Sequence, residues 1–359
     1  MKKQILTLVL SLTSIFLATS VEAANPNHVK QLLATNNCPN CDLTKIDLRG
    51  GNFQGADLSN ANLTDAMLEG ANLKNANLKE ANLQNTVLRN ANLELANLQS
   101  AKMRGVMMRD AKLRGANFRG ARMRDAKLRG TDLRNANLMN TLLRDAVLRE
   151  ADLTNANLGA ADLSGAKLND ADLEATNLES ANLINADLSA AYLGDARLKN
   201  ANLSNAKFKG ANLVTATLVG AKLLQTNMSK TNLQGANLTQ ADSSGANFTD
   251  ANLSKTLMNM INLTGANLTG AKLMNAYIYN ANLSGANLTN SDLTSANLEG
   301  ANLKNANLQN ANLTLAILRW ANLSQANLFG AILNDADLRD TNLNDATMVL
   351  GFLGHLLNQ

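Results

Sequence analysis

The sequence predicts an all-β solenoid: a β-helix that turns a corner every five residues and closes a square coil every twenty, with a short helix over its first coil. Three observations predict it. From Cys41 to Leu350 the 359-residue chain divides into 62 blocks of five without insertion or deletion. The third position of the block is Leu in 50 of them, the first is mostly Ala, and the second is mostly Asn or Asp. The chain has two Pro and is 3% aromatic, so Leu and Ala must fill almost all of the interior. Such a composition cannot pack an ordinary globular core, which relies on large aromatic and branched side chains. It suits a narrow core built from many small, repeated layers.

The period decides between the regular structures. On an α-helix five residues advance ~500°, so successive Leu residues wander round the axis and line no face. On a flat strand five is odd, so successive Leu residues point to opposite sides. A corner in every block removes both conflicts. The first and third positions then point inward and the other three outward. Stacked coils pair like neighbouring strands, ~4.8 Å apart, so about 15 coils make a rod roughly 70 Å long. Gly, Asn and Asp suit the corners, where positive φ or side-chain-to-backbone bonding is required. Each coil touches only its neighbours, so stability is close to a sum over coils.

Four segments follow in order. Residues 1–23 read as a signal peptide: Lys2 and Lys3, the apolar stretch from Ile5 to Ala18, and Val21-Glu22-Ala23 before the cut. The apolar stretch is shorter than the ~20 residues of a membrane span. The protein is therefore expected to be exported and soluble, in a periplasm or a thylakoid lumen. Residues 24–40 form an N-terminal cap in which Asn27 to Ala34 predict a short helix, with Val29, Leu32 and Leu33 over the first coil. Residues 41–350 are the rod. Residues 351–359 are an apolar C-terminal cap, expected because an uncovered last coil exposes a strand edge.

With 62 blocks in register, the chain strongly resembles the pentapeptide-repeat family, whose motif is Ala-(Asp/Asn)-Leu-X-X. Ala56-Asp57-Leu58-Ser59-Asn60 and Ala61-Asn62-Leu63-Thr64-Asp65 are typical blocks. The resemblance implies a right-handed quadrilateral β-helix. The segment from His28 to Leu43, with Cys38-Pro39-Asn40-Cys41, is similar to the start of exported cyanobacterial members. Some members dimerise through their C-terminal ends, so the resemblance implies an end-to-end homodimer through 351–359 as the alternative to a cap, and the family's activities vary. Some members mimic DNA and inhibit topoisomerases, but those rods are strongly acidic.

Cys38 and Cys41 form a CxxC. In an oxidising compartment it reads as a disulfide stapling the cap to the first coil. A redox-active pair lacks the surrounding βαβ pattern. A zinc site with His28 would have three ligands, where structural zinc takes four. No metal or cofactor is expected.

The net charge of +4 conceals a basic belt. Residues 101–150 hold 13 Lys or Arg against 5 Asp or Glu, leaving the remainder of the chain at −4. Twenty-residue stacking places Arg104, Arg124 and Arg144 on one side, joined by Lys102 and Arg122. It places Arg109, Lys127, Arg129 and Arg149 on the next. The belt is either a solvated face, partly neutralised by Asp110, Asp125, Asp145 and Glu150, or a strip for an anionic partner such as an acidic protein, an anionic glycan or lipid head groups. Nucleic acid fits less well, because the belt lacks interleaved aromatics. A second candidate face is apolar: Leu257, Met260, Tyr277, Tyr279, Ile317 and Trp320 share one side over 257–320, and Tyr and Trp are favoured contact anchors. Ser243 is the one polar residue at the third position and marks a weak layer. Glycine-rich phosphate loops, nucleophile elbows and His clusters are absent, and an uninterrupted rod offers no cleft, so an enzyme is not expected. The expected function is a rigid, non-catalytic interaction module.

Overall fold

The computed structural model describes residues 24–348. The expected signal peptide at 1–23 and the apolar tail at 351–359 lie outside the described residues. The chain enters through one helix, α1 (Pro26–Thr35). Asn25 caps it by accepting from the N–H of Asn27 at 3.0 Å, and Pro26 opens the first turn, where no N–H is needed. Asn36 ends it in the left-handed conformation and donates its N–H to the Leu32 carbonyl at 2.9 Å. Val29 and Leu32 are buried over the first coil, but Leu33 is exposed. One residue beyond Leu32, it has turned by about 100° to the outside of the helix.

From Asn37 to Thr347 each block pairs in parallel with the block twenty residues on, from Asn37↔Asp57 to Asn327↔Thr347, without a slip. A coil therefore takes four blocks. Its four sides are named here by their first blocks: side I starts at Cys41, side II at Ile46, side III at Gly51 and side IV at Ala56. The first and third positions are buried throughout the interior of the rod. Thr replaces Ala at some first positions and keeps its hydroxyl bonded, as in Thr86 to the Leu63 carbonyl at 2.8 Å. Ser243 differs. It is fully buried between coils of leucine, and its hydroxyl has no partner. In the last coil Ala331, Leu338, Leu343, Ala346 and Met348 are only partly buried.

The backbone of one block shows how the corners are held. Leu58 and Asn60 donate their N–H groups upward to the carbonyls of Asn77 and Lys79 at 2.8 and 2.9 Å. Ala61 donates to Leu58 across the corner at 3.1 Å, and Asn62 donates down to Cys41 at 2.8 Å. The fourth-position N–H has no backbone acceptor. The second-position side chain supplies one: Thr64 N–H donates to Asn62 Oδ1 at 3.3 Å. The fifth position is left-handed, as at Asn60 (φ 57°) and Gly70 (φ 67°), which makes each corner a type II turn. The preference for Asn and Asp at the second position thus has a specific cause. It braces the one donor that the ladder leaves over.

Candidate functional site

The belt interrupts this brace. Of the ten blocks in 101–150, only those with Asn117, Asp132 and Asn137 carry Asn or Asp at the second position. Side II goes furthest, with Met67, Val87, Met107, Lys127, Val147 and Lys167 paired in succession at that position. Beside this row, at the fourth position, stand Arg89, Arg109, Arg129 and Arg149, one per coil. Their main-chain N–H groups have no hydrogen-bond partner among the described residues, whereas the N–H of Arg119 bonds to Asn117 Oδ1 at 3.2 Å. Each arginine of side II therefore offers two outward donors, its guanidinium and its own amide.

The two cationic sides are not equivalent. On side I all three fourth-position arginines are paired: Arg104 and Arg124 with Asp125 at 3.4 and 3.7 Å, and Arg144 with Asp162 at 3.1 Å. Partial burial pushes the Asp162 carboxyl up, but the Ser164 hydroxyl and N–H, together with Arg144, hold it below the ordinary carboxylate range. Arg122 and Lys102 sit in one paired row on this side and make no ion pair among the described residues. On side II Arg109 meets Asp110 at 3.1 Å and Arg129 holds Glu150 through Nε at 3.1 Å and Nη2 at 2.8 Å; the arginines of both sides are about half exposed or more, so the pairs on either side contribute little. Arg149 and Lys127 make no ion pair among the described residues. Arg89, Met107, Arg109 and Lys127 line a shallow groove of about 250 Å³, with no carboxylate in its wall. Arg89 Nη2 reaches along it to Met107 Sδ at 3.8 Å.

Arg89 escapes a search for charge density, because it precedes the dense stretch at 101–150. The signal that finds it is its place twenty residues before Arg109.

The rod also shows how such an arginine holds a carboxylate. At Asp132 and Arg134 one carboxylate takes the Arg134 main-chain N–H at 3.2 Å, Nε at 2.8 Å and Nη2 at 2.6 Å. Asp47 with Arg49 and Asp337 with Arg339 repeat the arrangement. The neighbouring guanidinium holds each of these carboxyls below its ordinary range, in Asp337 down to about 2.

The apolar face lies on side IV. Leu257 and Tyr277 are paired directly, and with Met260 and Tyr279 they occupy two adjacent coils, all exposed. Ile317 and Trp320 share the side but not the cluster. The coil between them carries Asn297, Glu299 and Gly300, and Asn297 sits between Tyr277 and Ile317 in the row. Arg319 lies over the Trp320 ring at 4.5 Å and approaches Glu299 at 3.7 Å. At the other end Cys38 and Cys41 are joined in a disulfide with an S–S distance of 2.01 Å, beneath α1. Their neighbour His28 accepts the Asp42 N–H on Nδ1 at 3.0 Å, which ties α1 to the first coil. No described helix is long and apolar enough to cross a membrane.

Comparison with known proteins agrees with this architecture. The family description "Pentapeptide repeat region" matches residues 61–138 and 191–268. "Pentapeptide repeats (8 copies)" matches 41–79, 141–179, 156–195, 281–319 and 321–349. Among solved structures the chain is similar to HetL of the cyanobacterium Nostoc sp. strain PCC 7120, a pentapeptide repeat protein involved in heterocyst differentiation regulation. The two are 35% identical over 59% of this chain and 92% of that one, with a TM-score of 0.38. A pentapeptide repeat protein from the Arabidopsis thaliana thylakoid lumen is 30% identical over 28% of this chain and 63% of that one, with a TM-score of 0.18. QnrB1, a plasmid-mediated fluoroquinolone resistance protein, is 17% identical over 65% of this chain and 93% of that one, with a TM-score of 0.30. No curated protein matches the chain. On the repeat, the twenty-residue register and the two family descriptions that match it, the chain belongs to the pentapeptide-repeat family.

Proposed function

We propose that this protein is a non-catalytic, right-handed, four-sided rod of about 15 coils that acts outside the cytoplasm and binds an anionic partner along its second side. In this reading residues 1–23 direct export, 24–36 cap the rod, the blocks from Asn37 onward form it, since Asn37 already pairs with Asp57, and 351–359 close its far end or join a second copy. The observation that carries the binding role is the groove of side II, walled by Arg89, Arg109 and Lys127 without a carboxylate. A purely structural face would keep the Asn brace, as Asn117 and Asn137 do on side IV. The positive sign of the belt argues against DNA mimicry. The adjacent pair Tyr277 and Tyr279, 52% and 44% exposed, supports a second protein contact on side IV.

The test is retention on immobilised polyanions in physiological salt. Reversing Arg109, Arg129 and Arg149 to Glu is expected to abolish retention. Reversing Lys199, Lys255 and Lys272, which lie on sides III and IV, is expected to leave it intact. Retention that survives the first set excludes the belt as the binding face.

A further inference from the structure

The sites on side II are incomplete in a specific way. In Asp132–Arg134, Asp47–Arg49 and Asp337–Arg339 the fold's own second-position carboxylate accepts from both the arginine amide and its guanidinium. In the side II row the same arginine and amide recur at Arg89, Arg109, Arg129 and Arg149, but the second positions before them are Val87, Met107, Lys127 and Val147. The donors are present and the acceptor is missing, four coils running. A main-chain N–H beside a guanidinium, both held by a rigid ladder, is a preorganised carboxylate site, and a carboxylate can engage the guanidinium through two parallel bonds.

Resting on the anion-binding reading above, we propose that side II binds a linear polyuronate glycan lying along the rod axis, with its same-face carboxylates completing alternate sites, those of Arg89 and Arg129 or of Arg109 and Arg149. Spacing selects the glycan. The four sites recur at the strand separation of ~4.8 Å, whereas an acidic peptide laid along the rod repeats its same-face carboxylates at roughly 6.6–6.8 Å and falls out of step within two sites. A polyuronate carries one carboxylate on each stiff ring, and because successive rings of its two-fold ribbon face opposite ways, its same-face carboxylates recur at about two strand spacings, ~9.6 Å, in step with every second arginine. The apolar C–H faces of its rings match the row of Val87, Met107 and Val147, which are half-buried rather than charged. Lys127 adds a cation to the same row. The glycan displaces Asp110 and Glu150, whose exposed pairs with Arg109 and Arg129 are easily broken.

The experiment measures binding of a galacturonate hexamer to the whole protein by calorimetry, beside polyglutamate of equal charge and the galacturonate monomer. The wild type is expected to bind the hexamer well above the monomer, and above polyglutamate. The decisive variant supplies the missing acceptors: Val87→Asp, Met107→Asp and Val147→Asp together. It gives each arginine an internal carboxylate in the manner of Asp132 with Arg134, so it is expected to fold and to lose hexamer affinity by roughly tenfold or more. Arg109→Gln with Arg129→Gln is expected to lose binding similarly. Hexamer affinity unchanged in the triple Asp variant overturns the proposed sites. Arginine-dependent binding of polyglutamate in preference to the hexamer overturns the glycan and leaves the anion-binding belt standing. No arginine-dependent binding of either polymer removes both.

Discussion

Ser243 offers a direct test of the layered core. Its neighbours twenty residues away on either side are Leu223 and Leu263, and its backbone keeps the ladder bond, N–H to the Asn262 carbonyl at 2.7 Å. The layer is thus built for a leucine and holds a serine whose hydroxyl is buried and unpaired. Ser243→Leu removes a hydroxyl that costs about 1–3 kcal/mol when buried without a partner. It also adds a buried aliphatic side chain contributing about 1.5–3 kcal/mol. Taking the low end of both, the variant should be more stable by about 2.5 kcal/mol. Coils are coupled only to their neighbours, so the gain should be concentrated in the layers around 223–263. Hydrogen exchange of the amides there should slow by roughly 60-fold, at 1.4 kcal/mol per factor of ten. The denaturation midpoint of that part of the rod should rise with it. An unchanged or lowered midpoint refutes the reasoning. It would mean that Leu223 and Leu263 have closed over the space and that leucine overpacks it.

Other outcomes follow from the same geometry. Leu143→Asp places a charge in the fully buried column of side I and is expected to abolish a cooperative thermal transition in that region, read by circular dichroism; unchanged melting would contradict the inside–outside register. Acid should weaken the rod through Asp47, Asp132 and Asp337. Their folded pKa values lie below those of the unfolded chain, so their stabilisation is complete above the ordinary carboxylate range and is lost as the pH falls through the folded values, to about 2 for Asp337. Denaturation midpoints between pH 5 and pH 2 should show the fall, with a shallower slope in Asp132→Asn. Replacing Cys38 and Cys41 by Ser is expected to cost about 2 kcal/mol, because the bridge closes a very short loop. The loss should be confined to α1 and the first coil, as hydrogen exchange would show.

The five-residue period made the fold legible, because neither a helix nor a flat strand accommodates it and the alternation of Ala and Leu names the inward positions. The second position was harder to read. Asn and Asp there suggest a corner residue, but the left-handed corner lies at the fifth position, and the second braces the amide of the fourth. That function shows only when the ladder is followed bond by bond, and it turns the loss of Asn at Val87, Met107 and Val147 from a composition change into a set of open donors. Stacking by twenty places Arg104, Arg124 and Arg144 together, yet the sequence does not show that these three pair with Asp125 and Asp162 while Lys102 and Arg122 beside them make no ion pair among the described residues. The cluster on side IV illustrates the opposite error. Sharing a side is readable from residue numbers, but contact along it also depends on the intervening coil, and Asn297, Glu299 and Gly300 separate Trp320 from Tyr277.

The unbroken pairing of each block with the one twenty residues on has a consequence for how such a rod can change in length. An insertion of one block preserves every inward and outward assignment, so the core closes again. Everything beyond the insertion point is nevertheless rotated by a quarter turn. One block added after Asn200 would carry Tyr277 and Tyr279 from side IV to side I, in line with Arg104. Four blocks would restore the phase and only lengthen the gap by ~4.8 Å. The fold tolerates either change, so the azimuth between the cationic side and the tyrosines is a property that packing cannot protect and that only a shared ligand or partner can hold fixed.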